Sequence, residues 1–117
     1  MKRTIVFILS TFLFACYYDN QEDLLGENFN DCNIENLTYS NEIEPIIAES
    51  CAISGCHLPG GSGNGVFLSF EGVLEKVNNG SLKNRVVEER TMPPNAALTA
   101  CEIDKISFWI NQGAPNN

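Results

Sequence analysis

Basic residues are scarce in this sequence. It contains 7 Lys and Arg residues against 15 Asp and Glu residues, and two of the basic residues, Lys2 and Arg3, lie at the N-terminus. The stretch from Asp19 to Glu49 contains nine acids and no base, which is typical of a solvated segment. A chain with so little positive charge is poorly suited to bind a phosphate backbone, so we expect no nucleic-acid partner.

Long apolar runs are also scarce. The run from Ile5 to Phe14 follows two basic residues and is too short to cross a bilayer as a mature helix. It predicts a secretory signal peptide over residues 1–15. The run ends at Leu13-Phe14-Ala15-Cys16, which resembles a bacterial lipobox, so we expect Cys16 to be acylated and to anchor the protein to a membrane. The alternative is an ordinary secreted protein that is cut near Ala15 and keeps a free Cys16.

These signals place the protein outside the cytoplasm of a bacterium, on the periplasmic side of a membrane or at the cell surface. Cleavage after residue 15 leaves 102 residues, enough for one small domain. The polar and acidic residues 16–36 indicate a flexible tether, and we place the folded domain at residues 32–117.

The sequence shows no internal repeat and no pair of segments in which apolar and polar residues alternate as in strands. The predicted class is therefore all-α, with long loops rich in Gly and Pro. Asn41 and Glu44 have capping-box spacing and predict a short helix over residues 41–51. Thr99 and Glu102 form a second such box, ahead of the apolar residues of a C-terminal helix.

Two further short helices are predicted between these. Ser69 can cap a helix that ends at the turn-prone Asn78-Asn79-Gly80. Residues 81–89 form the other. Three to four short helices are therefore expected in all.

The five cysteines carry the main chemical signal. Cys51-Ala-Ile-Ser-Gly-Cys56-His57 has the form of a haem-attachment motif, with four residues between the cysteines instead of the usual two. Two thiols can add to the haem vinyl groups, and the following His57 then lies under the iron as its proximal ligand. Gly55 provides backbone freedom for the longer spacing. The alternative is a Cys51–Cys56 disulfide beside an exposed His57.

Several segments around this motif support the haem interpretation. They are Tyr39-Ser40, Ile43-x-Pro45-Ile46-Ile47, Gly55-Cys56-His57, Met92-Pro93-Pro94 and Ile106-x-x-Trp109-Ile110-x-x-Gly113-Ala114-Pro115. Together they make the chain resemble single-haem cytochrome c domains, of the kind exported as lipoproteins in Bacteroidota, from Cys32 to Asn117. The resemblance implies a small all-α domain whose helices surround one covalently bound haem c.

The resemblance also assigns the second axial ligand. A Met-Pro loop supplies it in such domains, and by position this is Met92. Once Met1 is removed, Met92 is the only thioether and His57 the only imidazole of the protein. We expect a His57 nitrogen and the Met92 sulfur to face each other across roughly 4–5 Å. The expected walls of this slot are Ile47, Leu68, Leu98 and Trp109.

The remaining cysteines, Cys32 and Cys101, bracket the domain. Similar exported domains often carry cysteines at both places, so the resemblance implies a Cys32–Cys101 disulfide.

The implied function is single-electron transfer by a membrane-anchored c-type cytochrome, which is not an enzyme. Its expected partners are other redox proteins, with a basic surface that matches the acidic one here. Two alternatives stay open: a ligand-binding, sensor-type haem protein in which Met92 is not on the iron, and a haem-free, disulfide-stabilised lipoprotein that acts as a binding module.

Overall fold

The computed structural model describes residues 32–94 and 98–117. Its α-helices are α1 (Glu44–Ser50), α2 (Phe70–Asn78) and α3 (Ala100–Asn111), and two π-helical segments lie at Tyr39–Ile43 and Lys83–Glu88. No strand occurs in these two ranges, which confirms the all-α class. The predicted signal peptide, the lipidation of Cys16 and nearly all of the tether lie outside the described residues. Among the helices that are described, none is both long and apolar enough to span a bilayer.

The first helical region begins earlier than predicted. Its cap is Thr38, whose hydroxyl accepts from the Asn41 backbone N–H, while the Glu42 carboxylate accepts from the Thr38 N–H at 2.7 Å. The expected box between Asn41 and Glu44 is therefore wrong. The physical reason for this difference is the wider π-helical first turn. In this turn the capping residue, Thr38, and the carboxylate that accepts from its N–H, Glu42, are four residues apart instead of the three of a capping box.

The two later α-helices begin as predicted. The Ser69 hydroxyl caps α2 by accepting from the Gly72 N–H, and α2 is followed by Gly80 with φ +78°. Thr99 and Glu102 form a capping box at the start of α3. The Thr99 hydroxyl accepts from the Glu102 N–H, and the Glu102 carboxylate accepts from the Thr99 N–H at 2.7 Å. The segment predicted over residues 81–89 forms the π-helical Lys83–Glu88.

The core lies where α3 packs against both π-helical segments. The Trp109 ring is fully buried and lies 5.4 Å from the Tyr39 ring, which makes an edge contact with Phe70 at 4.9 Å. The Trp109 indole N–H donates to the Pro115 carbonyl at 3.0 Å, so the buried polar atom is satisfied. This cluster joins the first helical region to the C-terminal residues.

A disulfide joins the beginning of the domain to the start of α3. Cys32 and Cys101 are bonded, with Cα atoms 5.3 Å apart, which confirms the predicted pair. The bond closes a loop with a sequence separation of 69, and a loop of this length corresponds to about 4 kcal/mol in a chain-entropy model. It holds the start of α3 against the segment that precedes the first helical region.

Candidate cofactor site

A cavity of about 560 Å³ lies between the 50–67 segment, α2, the second π-helical segment and the 92–94 loop. This volume is within the range of small-molecule and cofactor pockets, ~300–1,000 Å³. All four residues that the sequence proposed for haem binding line it, namely Cys51, Cys56, His57 and Met92.

The expected walls are wrong. Ile47 and Trp109 are buried in the core, Leu98 packs against that core, and Leu68 is 64% exposed. The apolar lining consists instead of Ile53, Phe67, Leu82, Val86, Pro93 and Pro94. The reason is that Ile47 of α1 and Trp109 of α3 are enclosed within the core cluster, whereas Phe67, Leu82 and Val86 belong to that cluster and also border the cavity.

His57 is held in one orientation. Its Nδ1 lies 3.0 Å from the Gly65 carbonyl oxygen, and since a carbonyl only accepts, Nδ1 carries the proton. The ring also stacks on Phe67, with centroids 4.0 Å apart and planes within 1° of parallel. In the neutral imidazole this leaves the Nε2 lone pair free to bind a metal.

Glycines allow the chain to wrap around His57. A Cβ at Gly63 would lie 2.7 Å from His57 Nδ1, and a Cβ at Gly61 would lie 2.0 Å from the Cys56 carbonyl oxygen. Any larger residue would therefore displace the histidine or its backbone. Sequence reasoning treated this stretch only as a loop; the signal that it missed is the cluster of glycines within eight residues of the histidine.

The two motif cysteines are free thiols. Cys51 is buried and Cys56 is partly exposed. Burial, and secondarily the neighbouring Cys56, raise the pKa of the Cys51 thiol to about 11, so it is protonated at neutral pH. Gly55 between them has φ +83°, a conformation suited to glycine.

Met92 lies on the cavity lining but is 41% exposed. Its backbone N–H and that of Thr91 both donate to the Arg85 carbonyl, at 3.2 and 2.8 Å. The second π-helical segment therefore positions the Met92 loop. The expected separation of the His57 nitrogen and the Met92 sulfur stays a prediction.

The sequence analysis assigned no role to Phe67, Lys76 or Arg85, which also line the cavity. Their side chains come together with the motif only in the folded chain. No group of three or more His, Cys, Asp or Glu residues within the described ranges is arranged to hold a metal ion.

No protein-family model, curated protein or solved structure matches this chain significantly.

Proposed function

We propose that this protein is a membrane-anchored c-type cytochrome that carries single electrons and catalyses no reaction. The observation that carries the proposal is the orientation of His57. Its Nδ1 proton is engaged by the Gly65 carbonyl at 3.0 Å, and the ring borders the same cavity as two free thiols and the sole methionine of the described residues.

The residues present fit a covalently bound haem. Two thiols on one cavity match the two vinyl groups of the porphyrin, and the residue after the second thiol is a histidine with an open nitrogen. The porphyrin brings four nitrogens of its own, so His57 and Met92 are the two protein donors that would hold the iron. When bound, the haem supplies one-electron cycling between Fe(III) and Fe(II).

The chain tunes that chemistry through its own residues. With His57 and Met92 as donors, an imidazole and a thioether together would favour a higher reduction potential than two imidazoles, and apolar walls such as Phe67 and Val86 would lower the dielectric constant around the site. The hydrogen bond to the Gly65 carbonyl fixes the tautomer and the orientation of the His57 ring.

The setting of this function rests on the N-terminal sequence. Acylated Cys16 would anchor the domain to a bacterial membrane, with the acidic tether between anchor and domain. The partners would be redox proteins that dock weakly, with a basic surface opposite the acidic one of this chain.

Mass spectrometry and visible absorption of the exported, mature protein test the proposal. We expect the mass of the chain to be increased by one haem and the absorption to show a covalent haem. The matched control is the Cys51→Ala, Cys56→Ala double variant, which should lose both signals. A colourless wild-type protein with the mass of the chain alone would contradict the proposal and favour the haem-free binding lipoprotein.

One observation favours a second candidate. Met92 is 41% exposed, and a thioether that remained exposed beside a bound haem would compete poorly with a small ligand such as NO or O₂. The protein would then be a sensor-type haem protein. A change in the visible spectrum of the reduced protein when carbon monoxide is added would favour this candidate, whereas an unchanged spectrum would favour the electron carrier.

A further inference from the structure

The cavity of the candidate site differs in charge from the chain as a whole. Two cationic side chains, Lys76 and Arg85, border it, and none of the described residues that line it is Asp or Glu. The chain as a whole has 15 acids against 7 bases. A positively charged cavity within a strongly negative protein suits an occupant that carries negative groups.

Lys76 is the more informative of the two because it is buried, at 7% exposure. Its stem lies against Gly65, where a Cβ would come within 2.5 Å of Lys76 Cε. Its ammonium donates to the Glu75 carboxylate at 2.8 Å and to the Asn64 amide oxygen at 3.3 Å. An ammonium has three N–H groups, so one donor is left for an occupant of the cavity.

The partner within the chain does not fully compensate this charge. The Glu75 side chain is 68% exposed, and an ion pair with so exposed a partner is weakened by solvent. A buried ammonium next to an apolar cavity therefore gains from a second anion inside it.

Arg85 supplies a second cation from a different element. Its guanidinium pairs with the Glu89 carboxylate at 3.2 Å and is 57% exposed. The planar guanidinium has five N–H groups, so this single contact leaves donors for a carboxylate at the cavity.

We propose that Lys76 and Arg85 are the carboxylate-binding residues of this site and that they bind the two propionate groups of the haem. The inference rests on the proposed function and extends it. A haem placed among Phe67, Leu82 and Val86 would leave its carboxylates unpaired in apolar surroundings unless cations meet them. Charge-assisted hydrogen bonds from Lys76 and Arg85 satisfy this requirement and fix which edge of the haem faces them.

The haem-loaded protein tests this through its midpoint potential. Lys76→Met keeps the length of the stem but removes the charge. We expect its midpoint potential to fall, because loss of a cation and an unpaired propionate both favour the oxidised iron. Lys76→Arg should restore the wild-type value. Arg85→Met should lower the potential less than Lys76→Met, since solvent screens the more exposed Arg85.

Lys83→Met is the matched control, because Lys83 is 47% exposed and is not among the cavity-lining residues. Its potential should equal that of the wild type. If the wild-type chain carries no haem, the proposed function and this inference both fail. If the haem is present and the potentials of Lys76→Met and Arg85→Met equal that of Lys83→Met, the inference alone is overturned. Should Lys76→Met fail to fold, the exposed Arg85→Met decides by the same comparison.

Discussion

Substitution of Gly63 by alanine tests whether the loop holds His57 in place. The added Cβ would lie 2.7 Å from His57 Nδ1, 2.8 Å from Cε1 and 2.9 Å from the Cys56 carbonyl oxygen. The ring cannot retreat freely, because Phe67 stacks on its face at a centroid distance of 4.0 Å. Alanine meets no unfavourable backbone dihedral angle at this position, since the positive φ values of this loop belong to Gly60 and Gly65. The effect is therefore purely steric.

The magnitude follows from two terms. Overpacking of a tight site costs about 1–3 kcal/mol. A displaced imidazole also loses its hydrogen bond to the Gly65 carbonyl, which contributes roughly 0.5–1.5 kcal/mol. For a domain of this size, each kcal/mol corresponds to roughly 4–8 °C in Tm, so we expect a fall of at least about 6 °C.

Thermal unfolding followed by circular dichroism measures this change, and haem content measures its effect on the site. Ser62→Ala is the matched control in the same loop, because Ser62 is exposed and makes only a hydrogen bond to the Gly55 carbonyl. It should leave Tm nearly unchanged. A Gly63→Ala protein with the Tm and the haem content of the wild type would refute the argument that close packing orients His57.

Four further predictions can be measured directly. Replacing Cys32 and Cys101 with serine should cost up to about 4 kcal/mol in urea unfolding; a loss below about 1 kcal/mol would contradict the loop-closure argument. In the haem-free protein, the raised pKa of the Cys51 thiol means that the folded state favours the protonated thiol. The contribution of this thiol to the free energy of unfolding should therefore be complete below pH 9 and should be lost as the pH rises toward about 11. Unfolding curves at several pH values test this, and a flat profile would exclude it. Met92→Ala should keep the covalent haem but lower the reduction potential; an unchanged potential would count against its ligand role. Cys16→Ser should release the protein from membranes without loss of haem, whereas retention in the membrane pellet would indicate another anchor.

Local signals in the sequence were sufficient for the helix ends that depend on nearest neighbours. Thr99 and Glu102 cap α3 as predicted, and Ser69 caps α2, because a capping residue and the N–H groups that it satisfies lie within one turn. The first helical region differed, since the choice of Thr38 over Asn41 depends on a π-helical turn that buries Tyr39 and Ile43 together in the core. Packing in the folded chain decides between the two residues, and no local sequence pattern indicates the outcome.

The sequence by itself predicted the all-α class, the Cys32–Cys101 pair as implied by resemblance, and the candidate haem-binding residues Cys51, Cys56, His57 and Met92. Each of these predictions depends either on residues that are close together in the sequence or on the position of a residue relative to the resembling family. The tertiary structure decided which core residues also border the cavity: Phe67, Leu82 and Val86 belong to the core cluster and line the cavity as well. Trp109 was expected at the cavity and is instead fully buried in the core. The same packing brought Lys76, eleven residues after Gly65 and in the following helix α2, onto the cavity lining that it shares with His57, and no spacing in the sequence specifies this arrangement.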